Sequence, residues 1–393
     1  MRTPWLAFAI FQCLRDEVRH TNPVVKEQFS TIFGKPNKKR NYTLIFITVT
    51  RYQGLMIKYL GSKRLLIPAI MDVVGQLEDV TSVADIFSGT SRVGFALKSA
   101  GYSVHSNDHN SYAATIAKSY VEANRDLVLE EVSSLIEQLQ ALDAKPGWFT
   151  ENYCEKARYF QSHNGGKVDS IREKIEGWTL SGDISETVRA VLLTSLMEAA
   201  DRVDSTTGVQ MAYLKQWAKR SYNNLELRVP ALLPDPENGP CLATQLDAAS
   251  AAQTTTADLA YIDPPYNQHK YLGNYHIWES LVLWDKPEVY GIARKRIDCK
   301  DRRSEFNSKP RFLKTFEHLI NSASSSRLLV SFSNEGYATR DEIVDVLSTR
   351  GKVTVYESDY KRYVGAQIGI HNPKGKKVGT AGHLRNIEYL FLV

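Results

Sequence analysis

The chain has 393 residues, 43% apolar and 24% charged, with 23 Gly and 14 Pro, a composition that excludes disordered, collagen-like and disulfide-scaffold classes and predicts two or three folded segments. No run approaches the ~18 consecutive apolar residues of a membrane helix, and the four cysteines (Cys13, Cys154, Cys241, Cys299) form no CxxC pair, so neither a zinc site nor a disulfide framework is signalled and a cytoplasmic location is expected. The net charge of +5 is uneven: residues 1–55 hold nine Lys/Arg against three Asp/Glu, and the remainder 40 against 41. Only local clusters on the body are therefore basic.

Residues 1–55 open on an apolar run, but no small-residue cleavage site follows, so they read as a basic extension, dispensable for activity, with one strand at Leu44–Thr50. From Met56 the pattern becomes α/β. Lys63–Leu77 carries apolar residues at helical period with Pro68 in the first turn. Ser82–Phe87 reads as a buried strand ending in the Gly89 turn, Arg92–Ala100 as a helix stopped by Gly101, and Tyr102–Ser106 as a second strand ending at Asn107-Asp108. Strand, glycine turn, helix, strand and acid make a βαβ unit, hence a parallel sheet.

Residues 112–240 are mainly helical. Tyr112–Arg125, Leu127–Leu142 and Ile184–Arg202 have helical spacing, Asp183 and Glu186 suggest a capping box for the last, and the intervening Gly/Ser/Asn-rich stretches read as loops. Strand-like segments return at Asp258–Ile262, Arg327–Phe332, Lys352–Tyr356 and Asn386–Val393. The expected organisation is a catalytic domain of residues 56–125 and 240–393, interrupted by a helical insert at 126–239.

The densest signal is Asp263-Pro264-Pro265-Tyr266 at the end of the apolar strand. Ligands of open α/β sheets bind beyond the carboxyl ends of strands, so a rigid polar turn there faces the crevice. The turn Phe87-Ser88-Gly89-Thr90 brings backbone close to a ligand because Gly89 lacks a Cβ. Asp108, ending the next strand, is placed to accept from ribose hydroxyls. Alone, this turn and acid fit a dinucleotide site equally well, although no GxGxxG follows a strand.

Three motifs in order, Lys58-Tyr59-Leu60-Gly61-Ser62-Lys63-Arg64, then Asp85-Ile86-Phe87-Ser88-Gly89-Thr90 with Asn107-Asp108, then Asp263-Pro264-Pro265-Tyr266, resemble those of the DNA adenine methylases. The resemblance implies a Rossmann-like methyltransferase fold, S-adenosylmethionine as cofactor, double-stranded DNA as partner and a restriction endonuclease as a possible companion. It places Tyr59 and Lys63 beside the methionine part of the cofactor, Asp85, Phe87, Ser88, Gly89, Thr90 and Asp108 around it, and Asp247 at its adenine amine. Asp263 and Pro264 would hold the target amine, with Pro265 stiffening the turn and Tyr266 stacking on the flipped base. The chain departs from the family at Ser91, where a second glycine is usual, and after Asp247, where Ala248 and Ala249 follow. Methylation of the cytosine amine and a non-catalytic DNA-binding role are the alternatives.

Pro240-Cys241 is the dipeptide of cytosine-carbon methylases, but the Glu-Asn-Val sequence that chemistry needs is absent. The eight Lys/Arg of Arg294–Arg311 and the basic and aromatic residues of Met211–Arg228 are expected to contact phosphate and unpaired bases. Asn267–Gly291, rich in aromatics, is expected to be a loop closing over a flipped base.

Overall fold

The structure, a computed structural model, describes residues 56–361, 370–371, 377–379 and 385–393. The basic extension and the strand expected at Leu44–Thr50 lie outside the described residues. No described helix is long and apolar enough to cross a membrane.

A seven-stranded sheet organises the chain. Its strands are β1 (Ser82–Asp85), β2 (Ser103–Asn107), β3 (Leu242–Thr244), β4 (Leu259–Ile262), β7 (Arg327–Ser333), β8 (Thr354–Lys361) and β11 (Arg385–Leu392). The short strands β5 (Val289–Tyr290) and β6 (Lys295–Arg296) form a separate hairpin, as do β9 (Ile370–His371) and β10 (Lys377–Gly379). In the large sheet the order is β3-β2-β1-β4-β7-β11-β8, with β11 running antiparallel to both neighbours and the remaining pairs parallel. This is the mostly parallel sheet the sequence predicts.

Strand side chains alternate between faces, and each face has its own core. Val83, Val104, Leu259, Tyr261, Leu329 and Leu390 pack into one core with helices α1 (Ile67–Gly75), α2 (Arg92–Ser99) and α3 (Ser111–Ala117). The helices α4 (Arg125–Ala141), α5 (Ser162–Ser181) and α6 (Glu186–Val203) join that same core, so residues 126–239 share the interior of the sheet domain. Ala84, Ile86, Ala260, Ile262, Val330 and Phe391 point the other way, against α7 (Ala248–Thr254), α10 (Phe312–Ser322) and α11 (Arg340–Ser348). Between these lie α8 (Tyr271–Asn274) and α9 (His276–Leu283).

Two local expectations need correction. The cap of α6 is Ser185, whose side chain accepts from Val188 N–H; Asp183 lies two residues too early for that role. The stretch expected as polar loop contains the 20-residue helix α5. Its buried stripe of Val168, Ile171, Arg172 and Ile175 keeps helical period, but Arg172 and two glycines disguise it. Asp169, in the middle of the helix, uses its carboxylate to accept from the backbone N–H groups of Gly147, Phe149 and Thr150, starting the neighbouring helical turn. Gly165 is a packing glycine: a Cβ there would meet Thr150 Oγ1 at 2.9 Å and Thr150 Cα at 3.3 Å, besides the Cys154 sulfur.

The two glycines of this helix should respond oppositely to alanine. Gly165→Ala should cost ~1–3 kcal/mol through overpacking. Gly177→Ala, at an exposed helical site with nothing within 4 Å of the new Cβ, should stabilise by ~0.5–1 kcal/mol. Urea unfolding of both variants measures the difference in sign.

Candidate functional site

The site begins where the chain enters the fold. Arg92 Nη2 donates to the carbonyls of Met56 (3.3 Å) and Ile57 (3.1 Å), and Lys58 Nζ bridges Asp204 Oδ1 (3.0 Å) and the Asp201 carbonyl (2.7 Å). The Tyr59 ring is sandwiched between Tyr275 at 4.5 Å and Tyr271 at 5.3 Å, with its hydroxyl 3.1 Å from that of Tyr112. Gly61 then turns at φ +74°, with Tyr271 Oη only 2.8 Å from where a Cβ would stand. A segment held at this many points has little freedom, and it delivers Lys63 over the carboxyl ends of the strands.

There the sheet presents a row of polar side chains on one face. Register places Asp85 beside Ser106 on one side and Tyr261 on the other. On β7 that row meets Leu329, and four residues further along the same face Ser333 pairs with Glu388, because β11 runs in reverse and starts at this end of the sheet. Lys63 Nζ sits 3.0 Å from Asp263 Oδ1, 3.5 Å from Glu388 Oε2 and 3.5 Å from the Tyr266 hydroxyl. Burial alone would lower the Lys63 pKa, but Asp263, Tyr266 and Glu388 outweigh it and hold the ammonium well above its ordinary value. Asp263 is pushed up to about 6 by burial, which the nearby ammonium only partly offsets.

All thirteen residues expected at the site line one cavity of about 470 Å³: Tyr59, Lys63, Asp85, Phe87, Ser88, Gly89, Thr90, Asp108, Asp247 and the turn Asp263-Pro264-Pro265-Tyr266. The glycine turn has Gly89 at φ +52° and Ser91 at φ +56°. The second value explains why glycine suits that position, since left-handed backbone costs a serine ~1–2 kcal/mol. Asp108 accepts from Gly89 N–H at 3.0 Å and from Asn110 N–H at 2.9 Å, so it shapes the turn as well as facing the cavity. Asp247 caps α7 by accepting from Ala249 N–H, and the two alanines that follow it are the first residues of that helix. Tyr266 packs against Phe332 at 5.0 Å, with the Lys63 ammonium 5.3 Å from its ring centre.

Asn107 of the second motif does more than its place there implies, and Phe306 and Glu388 carry no readable local signal. Asn107 ties two loops together, donating to the carbonyls of Ile86 and Leu246 while accepting from Leu246 N–H and the Thr244 hydroxyl. Phe306 meets Phe87 edge-on at 5.4 Å and walls the cavity. Glu388 is noted above.

Three expectations change. Asn267–Gly291 is not an open loop: it folds into α8 and α9, and Tyr275, His276 and Trp278 are buried in the core, leaving Lys270, Tyr271 and Leu272 at the cavity. Among the described residues, three of the eight basic side chains of the 294–311 run are spent on internal ion pairs. Arg296 holds Asp285 and Asp298, Arg311 holds Glu305, and Arg302 reaches the fully buried Glu279 at 2.8 Å. Of the 211–228 segment, Arg220 pairs with Asp204, Arg228 pairs with Glu226, and Trp217 lies under Arg158. Cys241 is buried at the edge of β2, where its sulfur accepts from Val104 N–H, and it does not line the cavity.

Comparison with known proteins agrees with this geometry. Residues 59–331 match the family model described as D12 class N6 adenine-specific DNA methyltransferase. The chain is 32% identical over 327 residues to the modification methylase StsI of Streptococcus sanguinis, covering 79% of this chain and 50% of that protein. It is 31% identical over 356 residues to the type II methyltransferase M.FokI of Planomicrobium okeanokoites, covering 86% and 52%. With the type II methyltransferase M.NlaIII of Neisseria lactamica it shares 29% over 343 residues, 85% of this chain and 100% of the other. The chain thus spans about half the length of the first two.

Asp85 gives a test of the site's electrostatics. Its carboxylate oxygens are buried without a hydrogen-bond partner of normal geometry among the described residues, and burial, with Asp263 and Asp108 nearby, raises its pKa from 3.8 to about 8. The folded state therefore binds the extra proton, and stability falls as pH rises from the unfolded value toward 8. Asp85→Asn should unfold at higher urea than the wild type at pH 8, with the gap narrowing toward pH 5. Urea titrations of both proteins without added ligand at three pH values check it.

Proposed function

Because the chain belongs to the D12 class N6 adenine-specific DNA methyltransferases, we propose that it moves a methyl group from S-adenosylmethionine to the N6 amine of an adenine flipped out of double-stranded DNA. The observation that carries the reading is that the Asp263-Pro264-Pro265-Tyr266 turn and the Gly89 turn open into one cavity.

The residues present fit the cofactor. Gly89 leaves backbone open to close approach, Ile86, Phe87, Leu246 and Phe306 supply apolar wall for an adenine ring, and Asp108 and Asp247 face the cavity as acceptors. The buried carboxylate of Asp85 lacks a cation, which an ammonium group supplies. When bound, S-adenosylmethionine brings a methyl group on a sulfonium, and no metal is needed for its departure.

The chain's own part is to hold the target amine. Asp263 Oδ1 is engaged by Lys63, while no described residue occupies Oδ2, leaving it as an acceptor for an exocyclic N–H. The Pro264 carbonyl is the second acceptor, and proline carries no N–H to compete. Two acceptors on one amine localise its lone pair on nitrogen, away from the ring, which makes it nucleophilic. Tyr266 stacks on the extruded base and offsets part of the few kcal/mol that flipping costs. Unpaired basic side chains of the 294–311 run, such as Arg303 at the cavity rim, meet the phosphates. The reading implies work in the cytoplasm on DNA, with a restriction endonuclease of the same recognition sequence as a possible companion.

Single-turnover transfer from labelled cofactor to duplex DNA, with the product nucleoside identified by mass spectrometry, tests the proposal. Wild type should yield N6-methyladenine. Asp263→Ala loses a charge-assisted hydrogen bond of ~1.5–3 kcal/mol and should slow transfer roughly ten- to a hundredfold, whereas Cys241→Ser should not. The wild-type rate should fall below about pH 6, where Asp263 takes up a proton. Methyl on the cytosine amine would overturn the adenine assignment.

A further inference from the structure

Lys63 serves two carboxylates, and only one of them belongs to the catalytic turn. Glu388, at 4% exposure, lies 3.5 Å from Lys63 Nζ, and Asp263 lies 3.0 Å from it. Glu388 is not among the residues lining the cavity, so it touches neither of the expected substrates. It also lies beyond the 59–331 family match, on the reversed strand β11.

Burying a carboxylate beside one ammonium is costly unless other partners balance the set. Two ionised carboxylates around one ammonium carry a net negative charge, which raises the proton affinity of the pair. The side with access to the cavity is Asp263.

We propose that Glu388 is a positioning residue for methyl transfer: by sharing the Lys63 ammonium it keeps that ammonium from neutralising Asp263, and so leaves Asp263 a strong acceptor for the target amine. This rests on the reading of Asp263 given above. The charged and titratable groups around Asp263 and its ammonium are Lys63 from the entry segment, Glu388 from β11, Asp85 from β1, Tyr261 from β4, Tyr266 from the turn itself and Tyr271 from α8. Of the carboxylates in this set, Glu388 is the one that shares the Lys63 ammonium with Asp263. Its charge acts to raise the proton affinity of Asp263. Removing that charge hands the whole ammonium to Asp263, which lowers its proton affinity and weakens its hold on an N–H.

The test is the pH profile of single-turnover adenine methylation at saturating cofactor and DNA. Glu388→Gln should move the acid limb to lower pH by about half a unit to one unit and lower the plateau several-fold, with affinities for S-adenosylmethionine and DNA within about twofold of wild type. Glu388→Asp, which keeps the charge but withdraws it by one methylene, should move the limb the same way by less, and it decides the matter if the glutamine variant does not fold. Acid limbs that coincide with wild type, or move to higher pH, overturn the role of Glu388 while leaving adenine methylation intact. A wild type that does not methylate adenine overturns the functional reading and this inference with it.

Discussion

One buried ammonium ties the site together. Lys63 arrives from the first described segment, Asp263 from the turn after β4 and Glu388 from the last strand, and the three meet with Lys63 and Glu388 below a tenth exposed. A cation in that position cannot be left alone: losing its partners would strand a charge at a cost of ~3–5 kcal/mol. The entry segment is accordingly fixed by Arg92, by Lys58 on Asp201 and Asp204, and by the tyrosine stack around Tyr59. Packing, chain path and acceptor chemistry are therefore one problem here. Asp201 and Asp204 end α6 and the residues after it, so the helical residues also take part in placing Lys63.

The parts of this arrangement that follow from local chain chemistry were legible in the sequence. The glycine-dependent turn at Gly89, an acid at the end of β2 and two prolines after an apolar strand each need only a few adjacent residues, and all of them reach the cavity. Asp247 entered through the family resemblance and lines the cavity, although its task as a helix cap shows only in the structure. Glu388 was not legible, because its place depends on the reversal of β11 and its pairing with β7. Nothing in the local sequence around it announces that reversal.

Charge was the least reliable guide. The run from Arg294 to Arg311 looks like a phosphate-binding face, yet Arg296 is 3% exposed and Arg302 holds Glu279, which is itself fully buried. Glu279 also accepts from Tyr112 N–H at the start of α3, linking the run to that helix. A basic run becomes a binding surface only through the members that find no internal acid, and that depends on acids distant in sequence. The aromatic stretch after Tyr266 misled for a related reason: α9 is buried without a break from His276 to Val282, so no amphipathic period marks it, and its polar and aromatic residues imitate a loop.

The account stands on the charge of Lys63 governing the protonation of Asp263. Replacing it by methionine keeps the length of the side chain and removes the charge, leaving Asp263 and Glu388 as neighbouring buried acids with no cation between them. The most direct measurement is the pH dependence of methyl transfer by Lys63→Met at saturating cofactor and DNA. The acid limb should climb from about 6 in the wild type to higher pH, since burial and the Glu388 charge are then unopposed, with rate recovered as pH is raised further. A limb that stays at the wild-type position would contradict the claim that this ammonium sets the chemistry of the site.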